Sequence, residues 1–240
     1  MKAIIVAGGT GGRLRPLTDN IPKPMIEISG KPILEHIINF LGKNGVKDII
    51  LALCHLPEPI MNYFKDGKDF GVNITYVFED PKVPMGTAGA IFSARKHISD
   101  TFIVEYADTL RELDVEEMIK FHKASGSFAT INAYQHRGIN HKSTLHFTED
   151  NILTKFEERQ TSQNLEKGFA WSNAAFYIFN PEIFEYINEN TKSDFSHDIF
   201  PKLLSLNKKI SVFPTTSYLM DIGTIESLEK AREDMAKKSA

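Results

Sequence analysis

The residues with the clearest chemical potential lie near the amino terminus, in a glycine-rich segment and a nearby lysine. Residues 7–13 read Ala-Gly-Gly-Thr-Gly-Gly-Arg, and Lys23 stands between Pro22 and Pro24. Backbone amides of a glycine loop approach phosphate oxygens closely and bind anions. Arg13 offers a planar fork of donors, and Lys23 offers a point charge on a backbone that its prolines restrict. This combination predicts a triphosphate-binding site, with a glycine-rich turn carrying two solvated cations as the alternative.

Two familiar phosphate-binding loops do not match this segment. A dinucleotide-binding loop counted from Gly9 and Gly11 needs a third glycine where this chain has Leu14. It also needs an acid at the end of the second strand, where residues 53–55 read Leu-Cys-His. A Walker loop needs Ser or Thr after its Gly-Lys pair, but the nearest such pair is followed by Pro32. The glycine segment is therefore of another kind.

Two aspartates far apart in the chain stand next to predicted secondary structure. A predicted strand ends directly in a carboxylate at both places: Asp108 follows the strand at residues 101–107, and Asp221 ends a strand that precedes the last predicted helix. Ligands of open α/β sheets sit beyond the carboxyl ends of the strands, the same edge that carries the glycine loop. Two carboxylates there could hold Mg²⁺, which takes few protein ligands and keeps phosphate oxygens and waters. The alternative for each aspartate is a turn or helix-capping role.

The elements that must position these residues alternate along the first half of the chain. Strands are predicted at residues 2–7, 48–53, 73–78 and 101–107, and helices at 32–43, 58–64 and 87–97. The second half predicts strands at 128–134, 143–147, 152–156, 170–179 and 209–213, and helices at 181–188, 196–206 and 225–236. This order predicts an α/β fold with a Rossmann-like, mixed but mostly parallel sheet flanked by helices, and a β-rich second portion.

Composition limits the functional classes. The 240 residues are 42% hydrophobic and 25% charged, with a formal net charge of −3. We therefore expect no electrostatic binding to nucleic acid or to an anionic membrane surface. No apolar run approaches the roughly 20 residues that span a bilayer. The single cysteine, Cys54, lies in an apolar run and is interpreted as a core thiol. A cytoplasmic location is expected, and the oligomeric state stays open, a homo-oligomer included.

Several short motifs follow one another in a recognisable order. They are the loop at residues 8–18, Pro-Lys-Pro-Met at 22–25, Gly-Lys-Pro at 30–32, Pro-Met-Gly-Thr-Ala-Gly-Ala at 84–90, Ala-Asp at 107–108, Phe-Glu-Glu-Arg at 156–159, Asp-Ile-Phe-Pro at 198–201 and Asp-Ile-Gly-Thr at 221–224. This series resembles the sugar-phosphate nucleotidyltransferases, a superfamily that includes mannose-1-phosphate guanylyltransferase and the glucose-1-phosphate thymidylyl-, uridylyl- and cytidylyltransferases. The resemblance extends over nearly the whole chain.

The resemblance implies a role for each matching residue. Nucleotide binding falls to Ala7, Gly8, Gly9, Gly11, Gly12, Arg13, Gly86 and Thr87. The catalytic residues would be Arg13, Lys23 and Asp108, and the Mg²⁺ ligands would be Asp108 and Asp221. Acceptor binding falls to Glu158, Arg159 and Asn173. It further implies one nucleotidyltransferase domain over residues 1–240, with a nucleotide-binding half at about 1–110 and an acceptor-binding half at about 111–240.

The implied reaction joins a nucleoside triphosphate to a sugar 1-phosphate and releases pyrophosphate. The acceptor is already an anion, so positioning and charge neutralisation are sufficient. Within this resemblance, the motif at residues 86–88 favours guanylyl transfer to mannose or heptose phosphates. Uridylyl, thymidylyl or cytidylyl transfer are the alternative reactions. A non-catalytic regulatory subunit and a glycosyltransferase are the alternative classes of protein. The chain departs from the family at Ala107, at Arg159 and at Ala175, which stands where a glycine is expected after Asn173-Ala174.

Overall fold

The computed structural model describes residues 1–80, 82–83, 85–137, 143–158, 169–189 and 191–239. The strands are β1 (Lys2–Val6), β2 (Glu27–Ile28), β3 (Lys31–Pro32), β4 (Asp48–Leu53), β5 (Asn73–Phe78), β6 (Phe102–Tyr106), β7 (Thr109–Arg111), β8 (Ala129–Arg137), β9 (Thr144–Phe147), β10 (Leu153–Glu157), β11 (Phe169–Phe179), β12 (Ile210–Thr215) and β13 (Leu219–Asp221). The α-helices are α1 (Ile33–Lys43), α2 (Pro57–Phe64), α3 (Gly86–Phe92), α4 (Val115–Ser125), α5 (Phe200–Ser205) and α6 (Ile225–Ser239).

Short helical turns complete the described chain. Turns of 3₁₀ helix lie at Gly12–Leu14, Lys23–Met25, Lys68–Phe70, Arg95–His97 and Pro181–Tyr186, and a π-helical turn lies at Phe195–Ile199. No helix among the described residues combines the length and the apolar character needed to cross a membrane.

The main sheet has seven strands in the order β12-β8-β11-β6-β1-β4-β5. Strands β1, β4 and β5 run parallel, as do β8 and β12, whereas β11 runs antiparallel to β8. Three two-stranded ladders pair β9 with β10, β7 with β13, and β2 with β3. The predicted α/β class with a mixed, mostly parallel sheet is confirmed.

The described chain divides into two compact units. Unit 1 comprises residues 1–84, 105–112 and 218–240, and unit 2 comprises residues 85–104 and 113–217. In unit 1 the strands β1 and β4 are almost wholly buried, as their unbroken apolar sequences predict. Helix α1 begins directly after Pro32 and buries Ile33, Ile37, Ile38 and Leu41, the stripe that its helical spacing predicts.

Unit 2 has a core rich in aromatic rings. Tyr177 lies 5.1 Å from Phe195 and 5.2 Å from Phe200, and Phe179 lies 5.2 Å from Phe195, all measured between ring centroids. The three pairs are tilted, edge-to-face and stacked, respectively, and edge-to-face contacts are among the favourable arrangements of aromatic rings. The cluster holds the antiparallel strand β11 against the turns at residues 195–200 and supplies much of the apolar burial of this unit.

Among the α-helices and β-strands, α4, β2, β3 and β7 are absent from the sequence predictions, whereas β13 ends at Asp221 as predicted. Helix α4 carries a clear start signal, since Asp114 accepts a hydrogen bond from the Glu117 amide, and Gly126 ends the helix in the left-handed region. Strands β7 and β13 are three residues each and lack an apolar period of their own. Their pairing depends on a contact between distant parts of the chain, which a local pattern does not reveal.

Candidate functional site

The glycine loop follows β1 and lies close to the end of β4. A Cβ atom on Gly8 would stand 2.9 Å from Cys54 Cβ, so only glycine fits there without a shift of the backbone. Gly11 has a φ of +66°, and a Cβ on it would stand 2.8 Å from Thr18 Cγ2. A Cβ on Gly9 or Gly12 would meet no heavy atom within 4 Å. The loop therefore packs through Gly8 and Gly11, while Gly9 and Gly12 border open space that a ligand could occupy.

Lys23 joins the loop to the first aspartate. Its side chain lies in the 3₁₀ turn after Pro22, and the residue is only 8% exposed. The Lys23 Nζ atom lies 2.5 Å from Asp108 Oδ2, and the Lys23 Cβ lies 3.1 Å from the position that a Cβ on Gly11 would take. Thr109 donates a hydrogen bond of 3.2 Å to Asp108 Oδ1. Unit 1 thus brings Gly11, Lys23 and Asp108 together.

The second aspartate reaches the same place through the ladder of β7 and β13. Asp221 is paired with Thr109 in the antiparallel register, and the Ile222 amide donates a 2.8 Å hydrogen bond to the Asp108 carbonyl. Asp108, the residue before β7, and Asp221, the last residue of β13, therefore meet at the same end of this ladder, although they are far apart in sequence.

Arg13 lies beside this ladder as well. A Cβ on Gly223 would stand 2.9 Å from Arg13 Nη2 and 3.4 Å from Asp221 Oδ1. The absence of a side chain at Gly223 thus leaves room for the guanidinium group next to the Asp221 carboxylate. The loop, both cations and both carboxylates predicted from the sequence come together in unit 1.

The donor set of this cluster fits magnesium. Carboxylate oxygens are the hard ligands that Mg²⁺ prefers, and the ion commonly takes only one or two of them while it keeps waters and phosphate oxygens. Asp108 and Asp221 supply two carboxylates at the same end of the ladder. In the described part of the chain no group of three or more His, Cys, Asp or Glu residues is placed to enclose a metal ion. Such an open set leaves coordination positions for phosphate.

Gly86 and Thr87 lie in unit 2, at the start of α3. Gly86 has a φ of +75°, and a Cβ on it would stand 2.5 Å from the Ser193 carbonyl oxygen. The Thr87 amide and hydroxyl donate to Asp194 Oδ1 over 3.0 and 3.1 Å, and the Phe195 amide donates to the Thr87 hydroxyl over 3.1 Å. These contacts fix the first turn of α3 on the segment at residues 193–195.

The residues predicted for the acceptor also lie in unit 2. Asn173 donates to the Tyr177 hydroxyl over 2.7 Å and accepts from the Ala175 amide over 3.0 Å, within a bulge of β11. Ala175 has a φ of +56°, which explains why a glycine is expected at this position. Glu158 Oε1 lies 4.0 Å from His197 Nε2. Arg159 lies outside the described residues.

Two acidic residues escaped the sequence predictions. Glu79 follows β5 directly, its amide donates to the Leu53 carbonyl over 2.9 Å, and its Oε1 lies 3.2 Å from the position that a Cβ on Gly8 would take. An acid placed immediately after a predicted strand was the available signal. The second residue is Glu105, which is wholly buried and lies 2.6 Å from Arg111 Nη2. Burial raises the pKa of Glu105 to about 7, against the lowering effect of Arg111.

A glycine loop after the first strand of a mostly parallel sheet, with two cations and two carboxylates beside it, defines a nucleotide-handling α/β protein. A family model described as nucleotidyl transferase matches residues 2–238, and the chain belongs to that family. The family predicted from the motifs is confirmed.

Individual curated relatives share about a third of their aligned residues with this chain. The chain is 34% identical over 239 residues to UTP–glucose-1-phosphate uridylyltransferase from Synechocystis sp., covering 94% of this chain and 61% of that protein. It is 35% identical over 231 residues to mannose-1-phosphate guanyltransferase from Debaryomyces hansenii, covering 93% and 61%. The chain spans about three fifths of the length of these curated relatives.

A solved structure matches over almost its full length. The crystal structure of HddC from Yersinia pseudotuberculosis complexed with GMP-PN has a TM-score of 0.82 and 30% sequence identity, over 98% of this chain and 99% of that one. A putative glucose-1-phosphate thymidylyltransferase from Bacillus anthracis shares the fold, with a TM-score of 0.85 at 21% identity.

Proposed function

We propose that this protein transfers a nucleotidyl group from a nucleoside triphosphate to a sugar 1-phosphate, with Mg²⁺ as its cofactor and pyrophosphate as the second product. The observation that carries the proposal is the cluster in unit 1, where Lys23 lies 2.5 Å from Asp108 and where Asp221, at the same end of the ladder, lies beside Arg13. Relatives named for uridylyl transfer to glucose 1-phosphate and for guanylyl transfer to mannose 1-phosphate support the proposal.

The residues of unit 1 perform the binding and charge neutralisation. Amides of the loop at residues 7–12 receive the triphosphate, and Arg13 and Lys23 neutralise its oxygens. An oxygen of the acceptor phosphate forms a bond to the α-phosphorus while the bond from that phosphorus to the bridging oxygen of pyrophosphate breaks. The attacking oxygen is already deprotonated, so no protein group has to remove a proton.

Asp108 and Asp221 would hold the Mg²⁺ ion. When bound, the ion supplies Lewis-acid neutralisation of phosphate charge. Asp108 has a second task in the proposal, because its carboxylate holds the Lys23 ammonium group at 2.5 Å and so fixes the direction of that cation. A fixed cation stabilises developing charge without reorganisation at the moment of reaction.

We assign acceptor binding to Glu158, Arg159 and Asn173, and further nucleotide contacts to Gly86 and Thr87, within one domain that has a nucleotide-binding and an acceptor-binding half. The Glu158 Oε2 atom is buried and has no hydrogen-bond partner among the described residues. A buried acceptor of this kind is satisfied by a hydroxyl donor, such as a sugar supplies. Because the reaction uses nucleoside triphosphates, we place it in the cytoplasm.

Guanine is the base that we propose, and Glu79 is the residue that supports it. The Glu79 carboxylate lies beside Gly8, at the start of the loop. A carboxylate only accepts hydrogen bonds, and guanine alone presents two adjacent donors, N1–H and the N2 amino group, on one edge. Uracil presents a single N–H between two carbonyl oxygens, which a carboxylate repels. Uridylyl transfer is the second candidate because of the relative from Synechocystis sp..

The test is a grid of GTP, UTP, dTTP and CTP against mannose, glucose and heptose 1-phosphates with Mg²⁺, scored by pyrophosphate release. We expect GTP to give the highest kcat/KM. Glu79→Gln removes the second acceptor oxygen, so we expect its kcat/KM for GTP to fall by about 10-fold or more, with UTP changed by less than about threefold. Absence of pyrophosphate with every pair would overturn the proposed reaction, and an unchanged GTP preference in Glu79→Gln would overturn the role of Glu79.

A further inference from the structure

A buried ion pair joins the two strands that flank Asp108 in the chain, β6 and β7. The Arg111 Nη2 atom lies 2.6 Å from Glu105 Oε1, with side chains that are 1% and 0% exposed. The Tyr106 amide donates to the same Glu105 oxygen over 2.8 Å. Their surroundings are apolar, since Val104, Ala107 and Leu110 are all buried. Two charges are thus withdrawn from water within the interior of the protein.

The pair spans the turn that carries Asp108. Glu105 belongs to β6, which ends two residues before Asp108, and Arg111 is the last residue of β7, which begins immediately after Asp108. Arg111 is also paired with Leu219 at the far end of the ladder, whereas Asp221 is paired with Thr109 at the near end. One ion pair therefore ties together the segment that carries Asp108 and the ladder that carries Asp221.

This ladder needs support beyond its own hydrogen bonds. It pairs only three residues of β7 with three of β13, and a short isolated pair of strands is marginally stable in water. A slip of one residue would move every side chain to the opposite face. A buried pair is a poor source of stability, because apolar residues of similar volume in its place are often neutral or stabilising. Its directional contact, in contrast, fixes one arrangement of the strands.

We propose that Glu105 and Arg111 are positioning residues that hold β7 and β13 in the register that brings Asp108 and Asp221 to the same end of the ladder. The proposal rests on the proposed function of the two aspartates. It assigns the pair to the geometry of the reaction and not to the stability of the fold.

The decisive variant is the double substitution Glu105→Leu/Arg111→Met, which replaces the pair by apolar side chains. We expect this variant to fold with an unchanged or raised Tm. We expect its kcat to fall by about 10- to 100-fold and its KM values for both substrates to stay within about threefold of wild type. The reason is that a small misplacement of reacting groups slows the chemical step more than it weakens substrate binding. We expect Glu105→Gln to keep kcat within about threefold, since its amide oxygen still accepts from Tyr106 and Arg111.

Hydrogen exchange supplies a readout that does not depend on turnover. The Ile222 amide donates to the Asp108 carbonyl, and the Glu112 amide donates to the Tyr218 carbonyl. In the double variant we expect both amides to exchange faster by about 10-fold, with the amides of β4 unchanged. The matched control is Glu112→Gln, because Glu112 follows Arg111 in the chain and its side chain forms an exposed ion pair with Lys238. We expect this control to change neither kcat nor the exchange rates of the Ile222 and Glu112 amides.

The outcomes separate this inference from the proposed function. Wild-type kcat or wild-type exchange of Ile222 in the folded double variant would overturn the positioning role. If the double variant does not fold, Arg111→Lys is tested instead, because lysine keeps the positive charge but lacks the planar guanidinium group with its paired N–H donors. The same loss of kcat is expected. Failure of both variants to fold would assign the pair to stability and also overturn the proposal. An inactive wild-type protein with the expected exchange change would instead overturn the proposed reaction alone.

Discussion

The cluster in unit 1 and the bulge around Asn173 in unit 2 use polar groups in opposite ways. In unit 1, Lys23 and Asp108 meet across 85 positions of sequence. In unit 2, the Asn173 side chain bonds Ala175 and Tyr177, both within four positions of itself. The first arrangement is made by tertiary folding, and the second is made by one strand.

Under the proposed function, the groups of the first arrangement act on a ligand, whereas the contacts of the second shape the backbone of their own strand. Burying a lysine next to an aspartate gains little stability, because desolvation offsets the attraction between the charges. An amide side chain that bonds its own strand is a common way to satisfy a bulge. We therefore expect substitutions in the unit 1 cluster to act on rate, and substitutions of Gly86 and Ala175, whose positive φ angles shape the backbone of unit 2, to act on stability.

The largest effect is expected for Lys23→Ala. Loss of this cation removes one transition-state contact, so kcat is expected to fall by about 10²- to 10³-fold, as measured by pyrophosphate release with the preferred substrate pair. The control is Lys68→Ala, which removes an exposed lysine whose ion pair with Asp66 spans 2.7 Å. The control is expected to retain full activity, and near-normal turnover of Lys23→Ala would remove that residue from the mechanism.

Gly86→Ala tests the unit 2 side of the comparison. The left-handed φ of +75° and a contact of 2.5 Å with the Ser193 carbonyl are both unfavourable for a Cβ, so the free energy of unfolding is expected to fall by about 2–5 kcal/mol. Gly45→Ala is matched in φ, at +78°, but meets no heavy atom within 4 Å and is expected to lose only about 1 kcal/mol. Equal urea midpoints for the two variants would contradict the close contact.

The Glu105 carboxyl makes a smaller, pH-dependent contribution. Burial raises its pKa from 4.5 to about 7 in the folded protein, so its stabilising effect is complete below pH 4.5 and is lost as the pH rises through about 7. The free energy of unfolding of wild type relative to Glu105→Gln is therefore expected to fall between pH 4.5 and pH 7. Urea unfolding at several pH values measures it, and parallel curves for the two proteins would show that this carboxyl does not titrate in the window.

Ala175→Gly carries the smallest expected effect. Release of an alanine from a φ of +56° outweighs the added chain entropy of glycine, so the variant is expected to gain about 0.5–1 kcal/mol of stability. Ala174→Gly, at the buried neighbouring position, is expected to lose about 1 kcal/mol. Thermal unfolding distinguishes the two, and a loss of stability in both would mean that the bulge is not strained.

Much of the fold and the core of the candidate site could be predicted because their signals are local. The apolar runs of β1 and β4 and the stripe of α1 are visible in single segments, and so is the glycine loop with Arg13. Helix α4 had a capping signal at Asp114 that went unused. Glu105 inside a strand gave no hint of Arg111, because a pair between neighbouring strands has no fixed spacing in sequence.

The sequence by itself determined the family, the order of the main elements and the residue types that the reaction needs, since each of these is written in short motifs and periodic patterns. Only the tertiary structure decided that Asp221 pairs with Thr109, that Gly223 leaves room for Arg13, and that a glutamate stands beside Gly8. The physical reason is that these relations depend on chain segments that meet through backbone pairing and close packing after folding. The local conformational preferences of the two segments do not specify that they will contact each other.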